Sequence, residues 1–194
     1  ILSDKPIRSA NPDLWRKQEL ARREKILSKP KWTFGASESI PQTLSLAADQ
    51  FLVERTPGRK KTIVAGYPWF TDWGRDTMIS LEGLALVRGE FEAARQILAA
   101  FAGAESRGMI PNHYPDAGEE PQYNTVDASL WFFEAGWKFL SYSKNSGFVR
   151  KTLYPVYRSI LRHHIDGTRF NIHADPSTGF LFSGEEGTQL TWIR

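Results

Sequence analysis

A chain of 194 residues with 41% hydrophobic and 24% charged residues has the balance of a globular protein and is long enough to bury a substantial core. It has no cysteine, which excludes a disulfide scaffold, thiolate zinc sites and thiol catalysis and suits a reducing, cytoplasmic setting; no signal peptide is visible, and no apolar run approaches the roughly 18 residues of a membrane span. The net charge of +3 divides unevenly: residues 1–61 hold 13 Lys/Arg against 7 Asp/Glu, and residues 62–194 hold 12 against 15. The aromatic clusters lie in the acidic part, so a neutral polar ligand fits better than a nucleic acid, whose binders place positive charge at their recognition aromatics.

Residues 12–28 read as a charged helix with Leu14, Leu20 and Ile26/Leu27 as a thin apolar side, so residues 1–40 are taken as a lead-in helix and linker ahead of a domain over 41–194. Pro41 suits the first turn of a helix, and Leu44, Leu46/Ala47, Phe51 and Leu52 predict one over 41–54, stopped by Pro57-Gly58. Residues 61–65 predict a short strand, and residues 66–73 a loop. A helix follows over about 73–88, and after Gly89 alone another runs from Glu90 to about Ala102, an antiparallel helical hairpin. Residues 103–123 are rich in Gly, Pro, Asn and Asp and form a long loop of the kind that carries function.

Residues 125–143 are apolar on nearly all sides and predict a buried helix. Residues 147–166 predict an amphipathic partner with Val149, Leu153, Val156/Tyr157, Ile160 and Leu161 inward. Residues 169–173 and 179–183 predict a small hairpin around Asp-Pro-Ser-Thr. Helices in pairs, joined alternately by tight turns and long loops, describe an all-α fold, an (α/α) toroid with small β-hairpins in its loops. About six helices make an incomplete circle, roughly half of a barrel. There is no sequence repeat, which argues against the usual solenoid families.

Two clusters carry candidate chemistry. The first, residues 67–77, packs Tyr67, Trp69, Phe70 and Trp73 beside Asp72, Arg75 and Asp76. An indole covers the apolar C–H face of a pyranose ring, and Arg and Asp bind its hydroxyls, so the cluster reads as a sugar subsite. For Asp72 alone, capping of the following helix is the preferred reading. Arg75 and Asp76 together favour ligand contact. The second cluster comprises residues 111–116 and 123–131, with Asn124, Asp127 and, one turn later, Trp131. Taken alone, a helix start capped by Thr125 and favoured by Asp127 explains it equally well; beside the first cluster it leans towards a shared site.

Other signals are weaker. Glu185-Glu186 offers paired carboxylates, but adjacent glutamates on a hairpin end are usually solvated. Asp175-x-Ser177-x-Gly179 echoes a calcium loop, yet Phe180 stands where that loop needs glycine. His163-His164 are adjacent and make a poor metal pair; His163 and Asp166 are spaced for a helical ion pair. There is no nucleophile elbow, phosphate-binding loop or dinucleotide fingerprint, so neither a metal nor a cofactor is expected.

Residues 65–84 (AGYPWFTDWGRDTMISLEGL) strongly resemble the glucosidase domain of the amylo-alpha-1,6-glucosidase (glycogen debranching enzyme) family. Residues 108–116 (GMIPNHYPD), 123–135 (YNTVDASLWFFEA) and 189–192 (QLTW) are similar to later motifs of that family, in the same order. The resemblance implies a six-hairpin (α/α) barrel and hydrolysis of the single α-1,6-linked glucose left at a branch point of glycogen or a related α-glucan, with inversion. It implies that Trp73, Arg75 and Asp76 hold the terminal glucose and that Asn124, Asp127 and Trp131 line the same pocket, with Trp69, Phe70, Asp72 and Trp192 as further binding residues.

The family pattern continues from Gln-Leu-Thr-Trp into Met-Asp, whose Asp is the expected general acid. Here the sequence reads Trp192-Ile193-Arg194, and an arginine stays charged and cannot donate a proton. No residue is therefore assigned a catalytic role. The expectation is a piece of a longer enzyme or a degenerate copy, inactive as it stands, with a glucan as partner. Two other readings are a non-catalytic α-glucan-binding module and a glucoamylase- or trehalase-like glycosidase.

Overall fold

The computed structural model describes residues 11–28, 39–55, 60–67, 71–114 and 120–191. Helices dominate these residues, and three two-stranded antiparallel ribbons lie in the segments outside them, in keeping with an all-α class.

Helix α1 (Pro12–Leu27) starts on Asn11, whose Oδ1 accepts the Leu14 N–H at 3.0 Å. Its exposed side is laced by Glu19, which receives Arg22 and Arg23 at spacings of three and four. Leu14, Trp15 and Leu20 stay about half exposed, and Ile26 is buried. The helix is attached largely by charge. Arg22 pairs with Asp49, and Asp49 pairs in turn with the buried guanidinium of Arg88 at 3.3 Å.

Helix α2 (Ser39–Asp49) ends earlier than the apolar spacing predicts. Leu52–Arg55 forms strand β1, antiparallel to β2 (Lys60–Ile63) with Leu52 opposite Ile63 and Arg55 opposite Lys60. The Phe51/Leu52 pair suits either period, and a strand partner only a few residues downstream decides between them. The turn at Pro57-Gly58 lies outside the described residues.

Helix α3 (Gly74–Leu81) continues through a π-helical turn, Glu82–Leu86, and reverses at Gly89 into α4 (Phe91–Gly103), completing the expected hairpin. Leu81, Ala85, Leu86, Ala94, Ile97, Leu98 and Phe101 join Ile63, Phe132 and Phe139 in one core. Helix α5 (Asp127–Ser143) lies beside α3 and parallel to it. Arg75 meets Asp127 near both starts, and Glu82 meets Lys138 and Tyr142 farther along.

Helix α5 departs from the expectation of burial all round. Ala128, Ser129, Phe132, Ala135, Gly136 and Phe139 are buried, whereas Leu130, Trp131, Trp137 and Tyr142 are exposed. Composition gave the helix apolar residues on every side; the elements packed on it cover one.

After α6 (Ser146–Phe148), a second π-helical turn, Val149–Leu153, leads into α7 (Tyr154–Asp166). Pro155 has no N–H for an i−4 bond, and the wider turn takes up the mismatch. Leu153 and Ile160 enter the core as expected, but Leu161 is 54% exposed. Tyr157 stacks on Phe133 with ring centroids 4.5 Å apart. Helix α7 crosses α5 at Gly136, where any Cβ would overlap the Tyr157 hydroxyl.

His163 turns its Nδ1 to the Ser159 carbonyl at 2.9 Å rather than to Asp166, so the expected ion pair gives way to a bond within the helix. The final ribbon, β5 (His173–Ala174) with β6 (Leu181–Phe182), is shorter than predicted, because Arg169–Asn171 coils as a 3-10 turn. Asp175 closes its loop by accepting the N–H groups of Ser177 and Thr178, and these bonds with the Ser177 hydroxyl hold its pKa below the usual carboxylate value.

Two predictions follow from this packing. Gly136→Ala should cost about 1–3 kcal/mol by urea denaturation, despite the helix-favouring alanine. Tyr157→Phe, which removes a buried hydroxyl lacking any bonding partner, should be near neutral alone and should recover part of that loss. His164 is buried, its Nδ1 donates to the Ile160 carbonyl, and its Nε2 has no partner. Burial, with a smaller contribution from His163, holds its pKa below the ordinary 6.5. The unfolded chain then binds a proton at a pH where the folded one does not. Stability should fall as pH drops through about 6.5, and His164→Gln should flatten the pH dependence of the urea midpoint between pH 7.5 and 5.

Candidate functional site

The two aromatic clusters meet through the backbone. Residues 72–73, read above as the end of a loop, form strand β3 (Asp72–Trp73), paired antiparallel with β4 (His113–Tyr114) so that Trp73 faces His113. The ring centroids of these two are 5.5 Å apart, and His113 Nε2 lies 3.2 Å from the Thr71 hydroxyl. Gly74 follows at once. Its N–H donates to the Asn112 carbonyl at 2.7 Å, and a Cβ there would overlap the Pro111 carbonyl oxygen. A residue with any side chain would push the start of α3 off the 111–114 segment.

Asp72 is not the cap that the sequence favoured. The N-cap position of α3 is Trp73, which makes no side-chain capping bond. Asp72 is 3% exposed, and its carboxylate accepts Arg55 Nη1 at 2.7 Å and Thr62 Oγ1 at 2.9 Å. It ties the β1–β2 ribbon to the first turn of α3 from behind. Arg55 and Thr62 went unnoticed in the sequence, because nothing local marks them; only the ribbon brings them to Asp72.

Arg75 lies in the first turn of α3, where the helix dipole disfavours a cation. Its Nη1 sits 3.4 and 3.5 Å from the two carboxylate oxygens of Asp127, the first residue of α5, where the dipole favours an anion. Both side chains are mostly but not fully covered, at 14% and 25% exposure. Thr125, buried, donates its hydroxyl to Asp127 Oδ1 instead of capping the helix; the N-cap position is Val126. The Val126 N–H donates to the Leu190 carbonyl at 3.1 Å, so the segment carrying the fourth motif runs beside the start of α5.

Asp76 is exposed in the first turn of α3, and Asn124 is exposed in the approach to α5. Trp131, 39% exposed, lines a crevice of about 110 Å³ between the two helices with Met78, Ile79, Glu82, Glu134, Ala135 and Lys138. Glu82 carries the charge at its far end. Its hydrogen bonds raise the pKa values of both Lys138 and Tyr142 above their ordinary values. Trp69, Phe70 and Trp192 lie outside the described residues. Glu185 and Glu186 are exposed. Among the described residues no group of three or more His, Cys, Asp or Glu could hold a metal ion.

The structure therefore joins Arg75 and Asp127 where α3 and α5 start side by side, a doorway that Trp73 and Asp76 flank in the one segment and Asn124 in the approach to the other. Trp131 stands one turn farther in. Such a doorway can lay a ring face on indole and bind hydroxyls with guanidinium and carboxylate. Asp72→Asn should cost roughly 3 kcal/mol in urea unfolding, since it removes the anionic partner of a mostly buried guanidinium. Asp76→Asn, at an exposed site, should change stability by less than about 0.5 kcal/mol.

Residues 46–194 match the family model for amylo-alpha-1,6-glucosidase. The chain is similar to the glycogen debranching enzyme of Saccharomyces cerevisiae (strain ATCC 204508 / S288c), at 28% identity over 216 aligned positions. That alignment covers 82% of this chain and 14% of the yeast protein, so the chain spans a small part of its relative's length.

Proposed function

The chain belongs to the amylo-alpha-1,6-glucosidase family, and on that premise we propose that its α3–α5 doorway holds the α-1,6-linked glucose of a glycogen-like branch point for inverting hydrolysis. The observation that carries this reading is the Arg75–Asp127 ion pair, which joins two motifs 52 residues apart at the common end of parallel helices. In this reading Trp73 and Trp131 cover apolar ring faces, and Arg75, Asp76, Asn124 and Asp127 take the hydroxyls. Trp69, Phe70 and Trp192 are assigned as further binding residues, and Asp72 supports the first turn of α3 from behind.

Inverting hydrolysis needs one carboxylic acid to protonate the glycosidic oxygen and one carboxylate to activate water, roughly 6.5–9.5 Å apart. Neither role is assigned to a residue of this chain, and position 194 carries Arg where the family pattern has Asp. We assign residues 41–194 to one portion of an (α/α)6 barrel. Further helices of the ring would cover the exposed apolar side chains Ile79, Trp137, Leu161 and Ile165. A cytoplasmic setting accompanies this reading. Among the described residues, no helix is long and apolar enough to cross a membrane.

Titration with maltose or glycogen should change tryptophan fluorescence. Arg75→Ala and Asp127→Asn should each weaken binding about tenfold in variants that circular dichroism shows to be folded, equivalent to roughly 1.4 kcal/mol. The chain alone should release no glucose from a branched limit dextrin. Appending the remaining barrel, with Asp at 194, should restore release. Unchanged fluorescence at high ligand, or an extended protein inert on every α-glucan, would count against the reading.

A further inference from the structure

We propose that the outer side of α7 carries a site for a phosphate dianion, separate from the α3–α5 doorway. Arg158 and Arg162 sit one turn apart on this helix, both exposed. With Pro155, Ser159 and His163 they line a pocket of about 310 Å³. Among the described residues neither guanidinium forms an ion pair.

Like charges four residues apart on a helix repel each other, and among the described residues no ion pair offsets the repulsion. The helix dipole does not account for the pair. Arg158 and Arg162 precede the last turn of α7, and the dipole's favour for a cation falls off outside that turn. Nor is the patch an overflow of general positive charge, since residues 62–194 carry more Asp and Glu than Lys and Arg.

The two guanidiniums are the donors of this site. His163 Nδ1 lies 2.9 Å from the Ser159 carbonyl and so carries a proton, which leaves Nε2 of the neutral ring an acceptor; the ring joins an anion only by taking up a second proton. The Ser159 hydroxyl is committed to Glu105 Oε1 at 3.0 Å. Glu105 is the opposing charge at the rim, and it also accepts the Gly108 N–H. Two forked guanidiniums suit the tetrahedral oxygens of phosphate, which chloride cannot reproduce. The chemistry fits free phosphate and a sugar phosphomonoester alike.

The test is phosphorus NMR titration of the full chain with inorganic phosphate and, separately, with glucose 6-phosphate, at constant ionic strength made up with chloride. Saturable low-millimolar binding of at least one probe is expected, and the probe that binds tells free phosphate from the ester. Arg158→Gln with Arg162→Gln should weaken it at least tenfold. Glu105→Gln keeps an acceptor for Gly108 and Ser159 and removes the opposing charge, so it should tighten binding severalfold. Non-saturable effects matched by chloride, or undiminished binding by the folded double variant, would overturn the proposal. Should the double variant not fold, Glu105→Gln decides alone: equal or weaker binding overturns it.

Discussion

The contact between Gly74 and the carbonyl of Pro111 is the constraint on which the rest of the site depends. Because nothing projects from Gly74, the first turn of α3 rests directly on the 111–114 backbone, and its N–H takes the Asn112 carbonyl. That seating lets β3 pair with β4, sets Trp73 over His113, and directs Arg75 towards the start of α5. The buried Arg55–Asp72 pair braces the same turn from the opposite side. A charge pair in that position contributes to geometry more than to net stability, because the cost of taking both ions out of water offsets much of their attraction.

Charge is handled differently at two places in the fold. At Asp49, one carboxylate bridges Arg22 of α1 and the buried Arg88, so an otherwise weakly attached helix is held by an ionic hub. At the doorway, Arg75 sits against its own helix dipole and is compensated by an aspartate from the neighbouring helix. The first arrangement joins surfaces. The second leaves two opposite charges only partly covered, within reach of a ligand.

The helical hairpin 74–103 was legible because Gly89 interrupts two clean apolar periods, and the four ordered motifs carried the family. What stayed hidden depended on partners distant in sequence. Leu52–Arg55 continued the period of α2, and only pairing with Lys60–Ile63 turned it into a strand. Asp72 sits immediately ahead of the α3 N-cap, and burial against Arg55 and Thr62 gives it another task. The apolar wrap of α5 suggested full burial, yet composition records what a helix is able to bury and not how many neighbours it has; Trp137 is 63% exposed. Both π-helical turns escaped notice because they preserve the apolar content of the helices that contain them.

The bond from Val126 to Leu190 has a consequence for synthesis. A chain leaving the ribosome can assemble the α3–α4 hairpin and the body of α5 from residues already made. The amide at the threshold of α5 must wait for a carbonyl 64 positions downstream, along with the Met109–Ile172–Leu190 cluster that seats it. Nascent chains that stop short of this point lack the acceptor, and the start of α5 is fastened only after the helices before residue 190 have been made.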